Sequence, residues 1–257
     1  METCDGSYDR FPDLVADLLR RRVSVITAPG STPATVAAKT ATSTIPITAP
    51  DPVEIGLVAS LNRPGANLTG SAILQAELAP KQLQLLRELV PNAAVLGVLA
   101  DPAFPDTQAV IADLYAAART LRRQLIVVNA TTDSDLEPAF ATFSQQRVGA
   151  VLIGQSTLYS RRAEQVAALA ARHALPAIYP YREDALAGGL MSYGSSLGYA
   201  SHQLGIYTGR ILKGEKPADL PVEQAVKIEL TLNLKTAKAL GIEFPTGLLV
   251  RADEVIE

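Results

Sequence analysis

Residues 95–128 read VLGVLADPAFPDTQAVIADLYAAARTLRRQLIVV, and the two periods in this stretch decide the fold class. Val95-Leu96-Gly97-Val98-Leu99 is apolar without alternation, as a strand covered on both faces is. From Asp106 to Arg122 the apolar residues fall on helical spacing, and Leu125 to Val128 returns to a short buried strand. A strand, a helix of about 10–15 residues and another strand make a βαβ unit, whose crossover is right-handed almost without exception.

The same alternation extends both ways. Downstream, a helix from Ser134 to Gln146 leads to strand Ala150 to Ile153, and one from Leu158 to His173 leads to Pro176-Ala177-Ile178-Tyr179. Upstream, a helix from Ala76 to Leu89 leads into Val95. Before it come a helix from Asp9 to Arg22, strand Val23 to Thr27, a helix from Ala34 to Ala41, and strands Ile45 to Thr48 and Leu68 to Ser71, with a helical turn opening at Asp51. The final third breaks the rhythm: strand Gly188 to Tyr193, a helix from Leu197 to Lys213 stopped by Gly214, and a linker-like Pro217 to Pro221. An alternating strand from Lys227 to Asn233 and a short helix from Leu234 to Leu240 follow. The chain is α/β with parallel sheets.

Its 257 residues allow one large domain or two small lobes at about 150 residues each. Hydrophobic residues make up 48% and charged residues 19%, enough apolar material for a packed core. The net charge of −3 offers no electrostatic footprint for nucleic acid or an anionic membrane. One cysteine, Cys4, excludes an internal disulfide, and with only two histidines it excludes the usual zinc sets. No apolar run reaches the roughly 18 residues of a membrane helix, and Met1 to Gly6 is polar rather than a signal segment.

Catalytic motifs with the right context are absent from the sequence. No G-x-G-x-x-G follows a strand, and the pattern nearest a P-loop, Gly209 to Lys216, places Glu215 where lysine belongs. Ser192 lies between Met191 and Tyr193 rather than in a nucleophile elbow. Cys4 reads as a terminal bystander, His173 as a helix-end residue and His202 as a surface or lobe-interface residue. No cofactor is expected.

Ligands of parallel α/β sheets bind outside the carboxyl ends of the strands, so the loops there carry the candidates. After the first strand, Ser31, Thr32, Ala34 and Thr35 surround a helix start with Thr32 as cap and Pro33 at the first helical position. Thr32 caps the helix, and the same terminus suits a small carboxylate. Asp51 and Asp101 follow strands, where an aspartate either shapes a turn or receives an ammonium or hydroxyl. Phe104 shares the Asp101 loop, Gln155 and Ser156 follow Ile153, Glu183 follows the Tyr179-Pro180-Tyr181 stretch, and Tyr193 ends a strand.

Other segments add a resemblance. Ala37 to Ile47 with Asp51 to Val58, Ser60-Leu61-Asn62-Arg63-Pro64-Gly65 to Gly70, and Lys81 to Pro91 resemble the ABC-transporter substrate-binding family that includes tryptophan- and tyrosine-binding members. Gly188 to Gly194, Gly209 to Pro221, Asn233 to Ala237 and Arg251 to Glu254 fit it too, so the likeness runs from about Tyr8 to the C-terminus. The resemblance implies two α/β lobes of the periplasmic-binding-protein type that close on a small ligand by hinge motion. It divides the chain into 1–70 plus 194–220 and 71–193 plus 221–257, with crossings near Gly70, Tyr193 and Leu220.

By position, the Ser31-Thr32 loop, Asp51, the Asp101 loop, Gln155, Glu183 and Tyr193 would face the inter-lobe cleft. The expected ligand is an amino acid or similar zwitterion. Its carboxylate would sit at the Thr32 helix start and its ammonium on an acid such as Asp51 or Glu183, with Tyr179, Tyr181 or Tyr193 flanking its side chain. ABC permease subunits are the implied partners and the periplasm or cell envelope the implied location. The family's pattern begins with an export signal and a strand–helix–strand unit ahead of the part matching Tyr8 to Arg22, so a truncated start is expected. Two readings from other classes stand beside this one: a ligand-sensing core of a regulatory protein, and an α/β enzyme using Asp51, Asp101 or Glu183 as acid or base.

Overall fold

The computed structural model of the protein describes residues 8–29, 31–50, 56–58, 60–72, 75–224 and 227–257. Its strands are β1 (Ile26–Thr27), β2 (Ile47–Pro50), β3 (Leu68–Ala72), β4 (Val95–Ala100), β5 (Gln124–Asn129) and β6 (Ala150–Ile153), then β7 (Ala177–Tyr179), β8 (Met191–Ser195), β9 (Glu223–Gln224), β10 (Ile228–Asn233) and β11 (Glu254–Ile256). The helices are α1 (Phe11–Arg20), α2 (Thr32–Ala41), α3 (Gln75–Leu89), α4 (Thr107–Thr120), α5 (Asp133–Gln145) and α6 (Thr157–Arg161). They continue with α7 (Ala163–Arg172), α8 (Arg182–Leu186), α9 (Leu197–Leu212), α10 (Leu234–Leu240) and α11 (Thr246–Arg251).

Two compact units emerge, Met1–Leu74 with Ser196–Lys227, and Gln75–Ser195 with Ile228–Glu257. The last change of unit comes later than Leu220 because β9 pairs with β3 and keeps residues 223–224 in the first unit.

The first unit holds a sheet ordered β1-β2-β3-β9, with every pair parallel. Ile26, Ile47 and Leu68 are in register and bury one face of it with Val15 of α1 and Ala38 of α2. The alternate residues Thr27, Thr48 and Thr69 are also in register and, by the period of two, share the opposite face. Thr48 and Thr69 are fully buried there, and the Thr69 hydroxyl donates to the Leu220 carbonyl at 2.7 Å. Gly70 lets β2 and β3 approach, because a Cβ there would stand 1.8 Å from the Ala49 carbonyl oxygen.

The second unit holds seven strands ordered β11-β10-β8-β7-β6-β4-β5. All pairs are parallel except β10 with β8, and although β10 alternates in sequence, Leu230 to Asn233 are all buried. One face packs Leu96, Val98 and Leu152 against Leu83 and Leu86 of α3 and Leu114 of α4. The other packs Leu99, Val151 and Ile153 against Phe140 and Phe143 of α5 and Leu169 of α7. The Phe143 ring packs closely on β4 because position 97 is glycine, where a Cβ would come within 2.9 Å of the ring.

Several boundaries differ from the sequence reading, each for a local reason. Strand β1 has two residues rather than five, since Arg22 turns left-handed (φ 53) after α1 and pairing with β2 starts only at Ile26. The Leu158 to His173 helix is two, broken at Arg162 (φ −105, ψ 26), whose guanidinium reaches back to Asp133. The helix starting at Arg182 and the terminal α11 and β11 are too short to show a period. The turn expected at Asp51, and Cys4, lie outside the described residues. Asn67 is buried, donating to the Thr42 and Ile45 carbonyls and accepting from Lys39.

Candidate functional site

In the first unit the loop after β1 delivers the backbone to the start of α2. Ser31, not Thr32, is the N-cap: its backbone is extended and its hydroxyl accepts from the Ala34 N–H at 3.3 Å. Thr32 is the first helical residue, with Pro33 second, and is 7% exposed. Thr35 is fully buried, its hydroxyl donating to the Ser31 carbonyl at 3.1 Å. Of the candidates here, Ser31 and Ala34 stay partly exposed, while Thr32 and Thr35 are buried. Asp51 lies outside the described residues.

The same unit holds a hydroxyl cluster that the sequence reading did not single out. Thr48 Oγ1 lies 3.1 Å from the hydroxyls of Thr27 and of Thr208 on α9, which are 3.2 Å from each other. A threonine on each of two adjacent strands was visible; their register and the helix that meets them were not.

In the second unit, the loops after β4 and β6 meet because the two strands pair in register from Leu96 with Ala150 to Leu99 with Ile153. Asp101 is 2% exposed, and its carboxylate accepts from the Ser156 hydroxyl at 2.6 Å and the Ala103 N–H at 3.0 Å. Ser156 also accepts from the Leu158 N–H at 3.0 Å and so caps α6. This pair ties two loops together, and a buried carboxylate needs such donors. Thr107 Oγ1 adds a bond to the Asp101 carbonyl at 2.7 Å.

A pocket opens at this carboxyl edge, between the sheet, α3 and α4. Asp101, Phe104 and Gln155 line it together with Gln82, Asp106 and Pro180. Gln82 is 3% exposed and donates to the Tyr193 carbonyl at 2.7 Å, so Tyr193 reaches this site through its backbone. Burial raises the pKa of the Tyr193 phenol, with the Asp253 charge adding to the effect. Gln155 Oε1 accepts from the Tyr181 hydroxyl at 3.3 Å. Glu183 is exposed in the first turn of α8, and Tyr179 is 2% exposed inside the core, leaving Tyr181 and Tyr193 as the part-exposed aromatic residues of the three. Asp106 and Gln82 were missed because the sequence reading placed both within helices rather than in the loops after strands.

The neighbouring Asp184, in the first turn of α8, is 5% exposed and accepts from the Tyr181 N–H at 3.1 Å. Burial and then the Glu183 charge raise its pKa to about 7, partly offset by that hydrogen bond. Burial likewise drives the Tyr179 phenol far above its usual range, reinforced by Asp184. Among the described residues no group of three or more His, Cys, Asp or Glu is placed to hold a metal ion, and no helix is long and apolar enough to cross a membrane.

A family model described as ABC transporter substrate binding protein matches residues 3–256. A tyrosine-binding protein of Clostridioides difficile (strain R20291) is 27% identical over 219 residues, covering 83% of this chain but 62% of that protein's length. Among solved structures, a conserved domain protein of Vibrio cholerae superimposes with a TM-score of 0.88 at 24% identity, covering 99% of this chain and 86% of that one. The ABC domain from Streptococcus pneumonia in complex with L-Trp gives 0.86 at 22%, covering 98% and 85%. These structural likenesses establish a mixed α/β fold of the periplasmic-binding-protein type. With a family match that runs almost from end to end, this chain belongs to the ABC transporter substrate-binding protein family.

Proposed function

We propose that the protein is the solute-binding component of an ABC importer, capturing an amino acid or related zwitterion and passing it unchanged to permease subunits from the periplasm or cell envelope. The family match over residues 3–256 carries this reading. A tyrosine-binding relative and a related fold holding L-Trp support the ligand class. The ligand is taken by loops at the carboxyl edges of the sheets. The Thr32 N–H at the start of α2 receives its carboxylate, as a helix start favours an anion, since Pro33 has no N–H and Ser31 holds that of Ala34. An acid at a sheet edge receives its ammonium, and Tyr181 and Tyr193 stand beside its side chain. No chemistry on the ligand is required of these groups, and Asp101 serves the loops through Ser156.

Thermal unfolding with a panel of amino acids, amines and carboxylates tests this. A ligand at 100 times its Kd stabilises by about 2.7 kcal/mol. In a chain of this size that raises the Tm by about 5–10 °C. A panel that leaves the Tm unmoved throughout refutes the proposal.

A further inference from the structure

The pocket of the second unit changes character with depth. At its mouth are Asp106 and Gln155; its floor is Val98, Leu114 and Leu152 from β4, α4 and β6. The cavity is about 40 Å³. That is room for about three water molecules, the size of a short hydrocarbon branch and too small for an indole or phenol without repacking.

Asp106 precedes α4 but its side chain does not cap it. Among the described residues its carboxylate has no hydrogen bond and no ion pair, and burial alone raises its pKa. A half-buried anion beside an apolar cavity is unfavourable until a cation with a hydrocarbon flank arrives to neutralise it. The other polar groups of the mouth are already engaged. Asp101 is held by Ser156 and Ala103, Gln82 is fixed on the Tyr193 carbonyl, and Gln155 accepts from Tyr181.

We propose that this pocket is the subsite for an aliphatic amine-bearing ligand, with Asp106 binding the ammonium and the Val98–Leu114–Leu152 floor receiving the hydrocarbon. The inference rests on the solute-capture reading and narrows it, making aliphatic amino acids of the size of valine or leucine the preferred ligands over tryptophan and tyrosine. Asp106 is then the specificity-determining acid, in the role for which the sequence pointed to Asp51 and Glu183.

Isothermal titration calorimetry tests it with L-valine, L-leucine, L-tryptophan and isobutylamine on the whole chain and on two variants, Asp106→Asn and Val110→Trp. Val110 is a part-exposed pocket wall, so the larger ring can block the pocket from its solvent side without entering the cavity, and it carries the test if Asp106→Asn does not fold. The aliphatic amino acids should bind, with Asp106→Asn weakening them about 30-fold or more. Val110→Trp should do the same for valine and leucine. If tryptophan binds and both variants leave its Kd within about twofold, the subsite is wrong and solute capture stands. If no amino acid binds but isobutylamine does, and Asp106→Asn abolishes it, the subsite stands and amino-acid capture is wrong. If the unmodified chain binds none of the four probes, both are wrong.

Discussion

Asp184→Asn isolates a single buried carboxyl whose ionisation opposes folding. The carboxylate lies in the first turn of α8 on a residue only 5% exposed, with the Tyr181 N–H as its one donor among the described residues. Its ordinary pKa of 3.8 is pushed up to about 7 by burial, with Glu183 adding repulsion and the Tyr181 bond opposing. Because the folded value exceeds the unfolded one, this carboxyl favours folding while protonated. That contribution is whole below about pH 3.8 and is lost as pH rises through about 7. At 1.36 kcal/mol per pKa unit the loss reaches about 4 kcal/mol, nearly all of it between pH 4 and 7. Asparagine keeps an acceptor for the Tyr181 N–H and removes the charge.

Urea unfolding followed by circular dichroism from pH 4 to 8 measures the difference. With an m-value of about 2 kcal/mol per M, the variant's midpoint should match the wild type's near pH 4 and exceed it by up to about 2 M at pH 8. Other titrations cancel in the subtraction, including Asp133 and Asp135, which Arg162 and the Thr131 and Thr132 donors hold below the usual range. Parallel curves for the two proteins across this range would refute the reasoning.

Gly70→Ala should prevent β2 and β3 from pairing, since its Cβ would meet the Ala49 carbonyl at 1.8 Å. A loss of more than about 4 kcal/mol is expected, seen as rapid proteolysis within residues 1–74. Arg122 and Arg147 follow α4 and α5 with φ 54 and 53, a left-handed conformation that costs a side chain about 1 kcal/mol. Arg122→Gly and Arg147→Gly should each stabilise by about 0.5–1 kcal/mol in the same urea assay, and together they should add. Ser156→Ala removes the 2.6 Å donor from buried Asp101 and should cost about 1–3 kcal/mol, with hydrogen exchange rising in both the 101–106 and 154–158 loops.

Legibility followed the length and regularity of each element. Strands β4, β5 and β6 and their helices could be read to within a residue or two, because burial on both faces forces an uninterrupted Val-Ile-Leu run and 13–14-residue helices show several turns of their period. The five-residue α8 and two-residue β9 have no period to detect, and their existence depends on what they pack against.

Site residues were legible as loop positions and not as roles. Asp101 and Ser156 are 55 residues apart, and only the β4–β6 register makes them partners. That bond joins two of the ligand candidates into one braced pair at the pocket. Ser31 rather than Thr32 caps α2 because an extended backbone places its hydroxyl on the Ala34 N–H, a choice two adjacent hydroxyl residues leave open. Asp106 escaped notice because it reads as the first residue of a helix, and only the structure sets it at the pocket with no capping bond.

The most direct test of the central claim is to titrate the whole chain with its best amino-acid ligand, release the ligand, and analyse it by mass spectrometry. The account predicts saturable binding of one ligand per chain and full recovery of chemically unchanged ligand. Recovery of a converted product, or no saturable binding by any amino acid, would contradict it.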